Sequence, residues 1–289
     1  MSSRSVPRNR TSSVRSAEQK TTGATWGTAV RAVTATPMLA GVRALVVLPT
    51  YNEAANVDEV LRRIRKELPD AEILVVDDNS PDGTADLADA VGAEIGRVSV
   101  LRRPAKAGLG TAYLDGFREG LSKGFDVLVE MDADLSHDPA ALPALVSATV
   151  HGADVAIGSR YVAGGSMPDW SRRRAFLSRW SNRYAALALG LAVNDSTSGY
   201  RAYRSDALER IDLERVRADG YGFQIEMTYR LICQGGRVVE IPVAFLDRRE
   251  GQSKLSFPIV VEAFVLVTGW GVRDVLTRRR RQRSRRLPR

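Results

Sequence analysis

The sequence predicts an α/β domain with a mostly parallel central sheet flanked by helices. Three observations carry that expectation. From Val42 to Ile157, short apolar runs of strand length alternate with segments of helical spacing. The runs are apolar throughout instead of alternating with polar residues, as strands covered on both faces are. Each of four runs ends in a polar cluster, at the place where open α/β sheets bind their ligands.

The elements follow in order. Arg43-Ala-Leu-Val-Val-Leu48 is a buried strand ended by Pro49. Ala54 to Leu68 has helical spacing, with Val57, Val60, Leu61, Ile64 and Leu68 on one face and Arg62, Arg63, Arg65 and Lys66 turned away. Glu72 to Val76 is a second strand, Ser80 to Gly83 a turn, and Thr84 to Val91 a short helix. Then come a strand at Val98 to Leu101, a helix at Leu109 to Leu121, a strand at Val127 to Met131, a helix at Ala140 to Val150 and a strand at Val155 to Ile157. After Tyr161 the pattern changes. Arg172 to Leu191 reads as a long amphipathic helix carrying Phe176, Trp180, Tyr184, Leu187 and Leu191 at helical spacing, with Arg172, Arg173, Arg174, Arg179 and Arg183 beside them. A stretch rich in glycine and hydroxyls, Asp195 to Arg201, precedes a helix at Gln224 to Gln234 and a strand at Arg237 to Phe245.

Composition limits the function classes. The chain has 289 residues, 44% of them hydrophobic, which suits one sizeable domain with irregular ends. Residues 1–40 read as a disordered basic arm, 41–256 as the domain body, 257–277 as an apolar or amphipathic helix, and 278–289 as a disordered arginine-rich tail. The ends together exceed the whole chain's net charge of +8, so the body between them is acidic. A specific nucleic-acid binder is not expected from that distribution. Cys233 is the single cysteine, which excludes an internal disulfide and makes a cysteine-built zinc site untenable. No apolar run follows the basic N-terminus as a secretory signal requires. The longest apolar stretch near the C-terminus, Pro258 to Trp270, contains Glu262 and is shorter than the ~20 residues of a spanning helix. Contact with a membrane surface without a span is the expectation.

The four polar clusters are Pro49-Thr-Tyr-Asn-Glu53, Asp77-Asp-Asn-Ser-Pro-Asp-Gly-Thr84, Asp132-Ala-Asp134 and Gly158-Ser-Arg-Tyr161. An acid after a strand is often only a cap for the next helix. Four clusters in succession, each closing a buried strand, form a stronger pattern. Asp132 and Asp134 stand two residues apart, so an extended backbone points both carboxylates one way, as a hard divalent cation requires. A solvated acidic turn is the competing reading. Asp78 and Asp82 read as turn residues, and His137 as a structural hydrogen-bonder.

These motifs, with Asp195-Ser-Thr-Ser-Gly-Tyr-Arg-Ala-Tyr-Arg204 and Arg248-Arg-Glu-Gly-Gln-Ser-Lys254, resemble those of the dolichol- and polyprenol-phosphate mannose synthases, inverting nucleotide-sugar glycosyltransferases with the Rossmann-like GT-A fold. The resemblance spans about residues 41–260. It implies transfer of mannose from GDP-mannose to a polyprenyl monophosphate, with Mg²⁺ or Mn²⁺. Pro49, Tyr51, Glu53, Asp77 and the backbone near Val75 are then nucleoside contacts. Asp132, Ala133 and Asp134 meet the donor, the two acids hold the metal, and Ser136 stands where family members often carry a metal-binding glutamine. Arg160 binds the sugar nucleotide or the acceptor phosphate and belongs with the two acids as catalytic. Arg248 and Lys254 hold the pyrophosphate, and Arg201 with Ser198 hold the acceptor phosphate.

An insoluble acceptor puts the enzyme on the cytosolic face of a membrane. The helix from Arg172 has the build of an interfacial helix, although core packing explains the same pattern. Residues 257–270 read as a second contact or as a docking helix for a separate integral membrane partner. The arginine tail adds ~1 kcal/mol of attraction per residue near an anionic leaflet, or is an RNA-adhesive or inert end. A polyprenyl-phosphate glucosyltransferase and a nonenzymatic membrane scaffold are the alternatives.

Overall fold

In a computed structural model, residues 39, 41–218, 220–246 and 264–273 are described. Seven strands form one sheet: β1 (Ala44–Thr50), β2 (Glu72–Asp77), β3 (Val98–Arg102), β4 (Val127–Glu130), β5 (Val155–Ser159), β6 (Arg201–Arg204) and β7 (Val238–Pro242). Their spatial order is β3-β2-β1-β4-β6-β5-β7. The pairs β1–β2, β2–β3, β1–β4 and β5–β7 are parallel, while β6 runs antiparallel to both β4 and β5.

The helices are α1 (Val57–Glu67), α2 (Thr84–Ile95), α3 (Leu109–Ser122), α4 (Leu142–Val150), α5 (Arg172–Leu189), α6 (Ser205–Arg210) and α7 (Gly220–Cys233), with α8 over 264–273. Short 3₁₀ turns lie at Pro139–Ala141 and Leu213–Arg215. The pleat sorts β1 into two faces. Val46 and Leu48 pack with α1, α2 and α4, whereas Leu45 and Val47 pack with α3, α6 and α7. Both sets are buried, which explains why the strand reads as a continuous apolar run.

Helix α3 lies very close to the sheet, and two glycines permit this. A Cβ on Gly116 would stand 2.3 Å from Val47 Cγ1, and one on Gly120 2.5 Å from Leu128 Cδ2. A third apolar cluster sits apart from the sheet, where Ala185 and Leu189 of α5 meet Ile225 of α7 and Val267 of α8.

The sequence expectations differ from this architecture in several places, among them α2, which runs on to Ile95, and β7, which spans only Val238–Pro242. The segment Arg201 to Arg204, to which the sequence reading gave no element, is strand β6 and reverses the sheet locally. Helix α7 begins four residues earlier than its apolar spacing indicates, because Gly220 to Phe223 are already helical. Helix α5 ends at Leu189, where Gly190 adopts the left-handed conformation (φ 66°) that terminates helices. Of the expected C-terminal helix 257–277, only 264–273 is described, and it is helical.

Candidate functional site

The strand order brings the polar clusters together. From β1 the chain builds outward through β2 and β3 on one side and is continued by β4 on the other, so β1 and β4 meet at a switch point. The ends of β1 and β2 are in register, Thr50 opposite Asp77. Asp77 is buried and accepts bonds from Thr50 Oγ1 (2.9 Å), Ser80 N (2.8 Å) and Ser80 Oγ (2.6 Å). Its carboxylate therefore ties the first two clusters to each other. Asn52 N donates to Ser80 Oγ and Glu53 N to Thr84 Oγ1 across the same seam. Asp82 accepts from Ala54 N and Thr84 N, and Asp78 pairs with Arg103. Asp82 takes the turn role expected of it, whereas Asp78, also expected as a turn residue, braces Arg103 and Ala107 N instead. Pro49 and Tyr51 are half-buried at the edge of this seam, and Lys106 Nζ stands 3.9 Å over the Tyr51 ring. Val75 lies inside the ladder between Leu48 and Val100 and is fully buried, so its side chain belongs to the core.

Past the end of β4, Asp132 and Asp134 are each held by a hydroxyl. Tyr113 Oη donates to Asp132 Oδ1 at 3.0 Å, and Ser136 Oγ donates to Asp134 Oδ1 at 2.6 Å. Burial and the Asp132 charge push the Tyr113 phenol well above its ordinary pKa, so it stays a donor. Leu135 turns the chain with φ 61°, a conformation that costs a branched residue ~1–3 kcal/mol, and this lets Ser136 N reach the same oxygen. His137 accepts from Asp132 N through Nδ1 and stacks on Tyr200 at 4.8 Å, the structural role expected of it. Ala133 is buried in the core. Among the described residues no group of three or more His, Cys, Asp or Glu could enclose a metal. Two carboxylates suit Mg²⁺ or Mn²⁺, which take further oxygens from water and phosphate.

Two arginines depart from their expected roles. Arg160 does not present an open guanidinium. Its Nε and NH2 grip both oxygens of Asp195 at 2.7 and 2.6 Å, and NH2 also reaches Thr197 Oγ1. Tyr161, Trp170 and Phe245 surround the group with ring centroids 5.4–5.5 Å away. Burial opposes the charge, but Asp195 outweighs it and holds the pKa above the usual arginine value. Arg160 thus positions the loop after α5, and its assignment as a direct phosphate ligand is corrected.

Arg201 is fully buried. It donates to the carbonyls of Ser196, Ser198 and Gln224, to Tyr203 Oη and to Thr228 Oγ1. With its guanidinium engaged inside the protein, Arg201 is not open to an acceptor phosphate; Ser198 is buried, and its Oγ accepts from Tyr200 N. Arg248 and Lys254 lie outside the described residues.

The loop 194–199 is clamped from every side. Glu240 accepts from Asn194 N and Asp195 N, and Asn182 of α5 bonds Ser196 and Thr197. Thr197 forms the inner wall of a cavity of about 780 Å³, counted to its open mouth. Helix α5 supplies Arg174, Leu177, Ser178, Trp180, Ser181, Tyr184 and Ala185, with Tyr221 and Ile225 from α7 and Phe264 and Val267 from α8. The sequence reading missed this cavity as a site. Its signal was the small and hydroxyl residues, Ser178, Ser181 and Ala185, set among the aromatics of α5. Beyond it α5 exposes Phe176, Leu177, Trp180 and Leu187, and α8 exposes Phe264, Val265 and Val272. Ala185 and Leu189 pack inward, so the core-packed reading of α5 holds for that side, while Phe176 and Trp180 are exposed among the described residues.

Beneath Asp132 lies one more buried acid. Burial pushes Glu130 up to about 8, against the pull of Arg201 nearby. Gln224 and Tyr203 are close enough to influence it, yet neither Glu130 oxygen has a partner at hydrogen-bond geometry, and both side-chain polar atoms of Gln224 are likewise unpartnered.

A mostly parallel α/β sheet with paired acids past β4 is the arrangement that the GT-A resemblance leads one to expect. Comparison with known proteins agrees. The glycosyl transferase family 2 profile matches residues 45–212, and the chain belongs to that family. It is 51% identical over 230 residues to the undecaprenyl-phosphate mannosyltransferase of Micrococcus luteus, covering 80% of this chain and 94% of that one. It is 50% identical over 239 residues to the polyprenol monophosphomannose synthase of Mycolicibacterium smegmatis, covering 82% and 90%. Against the dolichol-phosphate mannosyltransferase of Pyrococcus furiosus it is 38% identical, covering 75% and 60%. Among solved structures, glucosyl-3-phosphoglycerate synthase from Mycobacterium tuberculosis has the same fold, with a TM-score of 0.60 at 20% identity over 81% of this chain and 82% of that one. The protein is a glycosyltransferase.

Proposed function

We propose that this glycosyltransferase moves mannose from GDP-mannose to a polyprenyl monophosphate, with inversion at the anomeric carbon, and releases GDP. The observation that carries the reading is the junction at Thr197. This residue walls the apolar cavity, bonds Arg160, and stands two positions before Gly199, whose surroundings include the Asp132 carboxylate. An apolar cavity whose wall residue Thr197 lies two positions from a glycine beside Asp132 suits a lipid with a phosphate head. The names of three relatives, each a polyprenyl- or dolichyl-phosphate mannosyltransferase, support mannose and this acceptor class.

Asp132 and Asp134 would hold Mg²⁺ or Mn²⁺; the related synthase fold has been crystallised with Mn²⁺ and UDP-glucose. When bound, the cation supplies neutralisation of the departing pyrophosphate. Tyr113 and Ser136 keep the two carboxylates oriented. Tyr51, Asp77 and Glu53 line the seam assigned to the nucleoside. Arg174 and Ser178, at the inner part of α5, are assigned to the acceptor phosphate in place of Arg201 and Ser198.

No protein base is required. A phosphate monoester has a second pKa of ~6 and is mostly dianionic near neutrality, so it attacks without losing a proton. The protein's work is to position the reactants and to stabilise charge.

Among the described residues no helix is long and apolar enough to cross a membrane. We assign the enzyme to the cytosolic membrane surface, held by the exposed faces of α5 and α8, with a separate integral membrane protein as a candidate partner at α8.

Two measurements test the assignment. EDTA should stop transfer and either cation restore it, with Asp132→Asn and Asp134→Asn each lowering turnover by about 100-fold or more. Arg174→Ala should raise the KM for prenyl phosphate by about tenfold with little change in the KM for GDP-mannose. Equal effects on both substrates would contradict the acceptor site placed here.

A further inference from the structure

Gln224 presents an unusual buried group. It sits on α7 with 3% of its surface exposed, and neither Oε1 nor Nε2 has a hydrogen-bond partner. Buried amides are almost always satisfied, so an orphaned one needs an explanation. Its neighbours narrow the choice. A Cβ placed on Gly199 would be 3.4 Å from Gln224 Nε2 and 3.9 and 4.0 Å from the two Asp132 carboxylate oxygens. The amide and the acid therefore both border the gap where a side chain of residue 199 would stand. Glu130 is beside them and is also unpartnered. Glu130 alone does not meet the need. A mutual pair with it would still leave one Gln224 N–H without an acceptor.

The gap favours a group that both accepts and donates. A hydroxyl can take a hydrogen bond from an amide N–H and give one to a carboxylate. The acids at Asp132 and Asp134 place the sugar end of the donor in this neighbourhood, if the function proposed above holds. We propose that Gln224 is a specificity-determining residue that hydrogen-bonds a hydroxyl of the donor sugar across the Gly199 gap, with Asp132 as the opposite partner. The site would then reject sugars that lack that hydroxyl or carry it in the other orientation, since they leave the amide unpaired. Polar sites of this kind discriminate far more strongly than apolar ones.

The test uses the full-length protein with Mn²⁺ and prenyl phosphate in detergent. The kcat/KM for GDP-mannose and for GDP-glucose are compared in wild type, Gln224→Met and Gln224→Glu, alongside the affinity for GDP alone. Met keeps the volume and removes both polar atoms, while Glu keeps the shape and removes the N–H donors. Gln224→Met should lower kcat/KM for GDP-mannose by about 10- to 100-fold and shrink the mannose-to-glucose ratio by at least about tenfold, with GDP affinity within about twofold of wild type. Gln224→Glu should move the ratio the same way, and it carries the test if the Met variant does not fold. An unchanged ratio, or a parallel loss of GDP affinity, would overturn the proposal and leave Gln224 as a holder of buried water. A wild type that prefers another donor sugar refutes the GDP-mannose assignment and not the reader role, which then predicts the same collapse of preference for that donor.

Discussion

Glu130 stands on β4 two residues before Asp132, and the proposed chemistry makes no use of it. Its carboxyl titrates at about 8 in the folded protein, against 4.5 for the free group. Below pH 4.5 both folded and unfolded chains hold the proton. Between these values the unfolded chain releases it while the folded chain keeps it, so stability falls as pH rises and levels off above about 8. Glu130→Gln should remove that slope. In metal-free buffer the variant should gain on wild type by up to about 4 kcal/mol between pH 5 and pH 8 in urea unfolding; a constant difference would contradict the buried neutral acid. Arg201 gives a second test. Replacing it with Met should cost about 3–5 kcal/mol of stability, because carbonyls of the 196–198 loop and α7 lose their donors. If Arg201 bound the acceptor, the variant would instead fold normally and show only a raised KM. The sequence places Arg160 correctly beside a strand end but does not show where a guanidinium turns. For Arg160 the missing information was the partner, Asp195, 35 residues away. That acid, unassigned in the Asp195 to Arg201 motif, was the available sign that one arginine was already matched.

At the scale of elements, the parallel half of the sheet was legible because its strands are apolar on both faces and each is bounded by turn chemistry. Strand β6 was not. Its four residues, Arg-Ala-Tyr-Arg, have no apolar run, and Arg201 is buried there only because hydroxyls and carbonyls from distant elements receive it. Helix α7 was read late for a similar reason, since Gly220 and Gly222 disfavour helix locally and tertiary packing overrides them. Helix α3 offers a sharp test of packing. Gly116→Ala would drive a Cβ to 2.3 Å from Val47 Cγ1, so a loss of about 1–3 kcal/mol is expected in thermal or urea unfolding. An unchanged stability would mean that α3 can lift from the sheet at no cost. For α5, Phe176 and Trp180 are 71% and 50% exposed, which leaves much of the helix's apolar face open among the described residues. Phe176→Ser combined with Trp180→Ser should reduce flotation with anionic vesicles several-fold while leaving circular dichroism unchanged. Unaltered flotation would argue that α5 does not meet the bilayer.

Over the whole molecule, the site is assembled by topology. The sequence shows four clusters, each at a strand end, but only the order β3-β2-β1-β4 explains why those of β1, β2 and β4 converge. The cavity proposed for the acceptor was the least legible part, because it lies between α5, α7 and α8, which are separated in sequence and read one by one without sign that they share a cavity. Mannosyl transfer from a nucleotide donor to a lipid phosphate remains the claim on which the rest depends. Its most direct test is incubation of the purified protein with labelled GDP-mannose, GDP-glucose or UDP-glucose, together with polyprenyl phosphate and Mg²⁺ or Mn²⁺. The account predicts a labelled, lipid-soluble β-mannosyl phosphate from GDP-mannose, formed only with cation and acceptor present. No transfer from GDP-mannose under any of these combinations would contradict it.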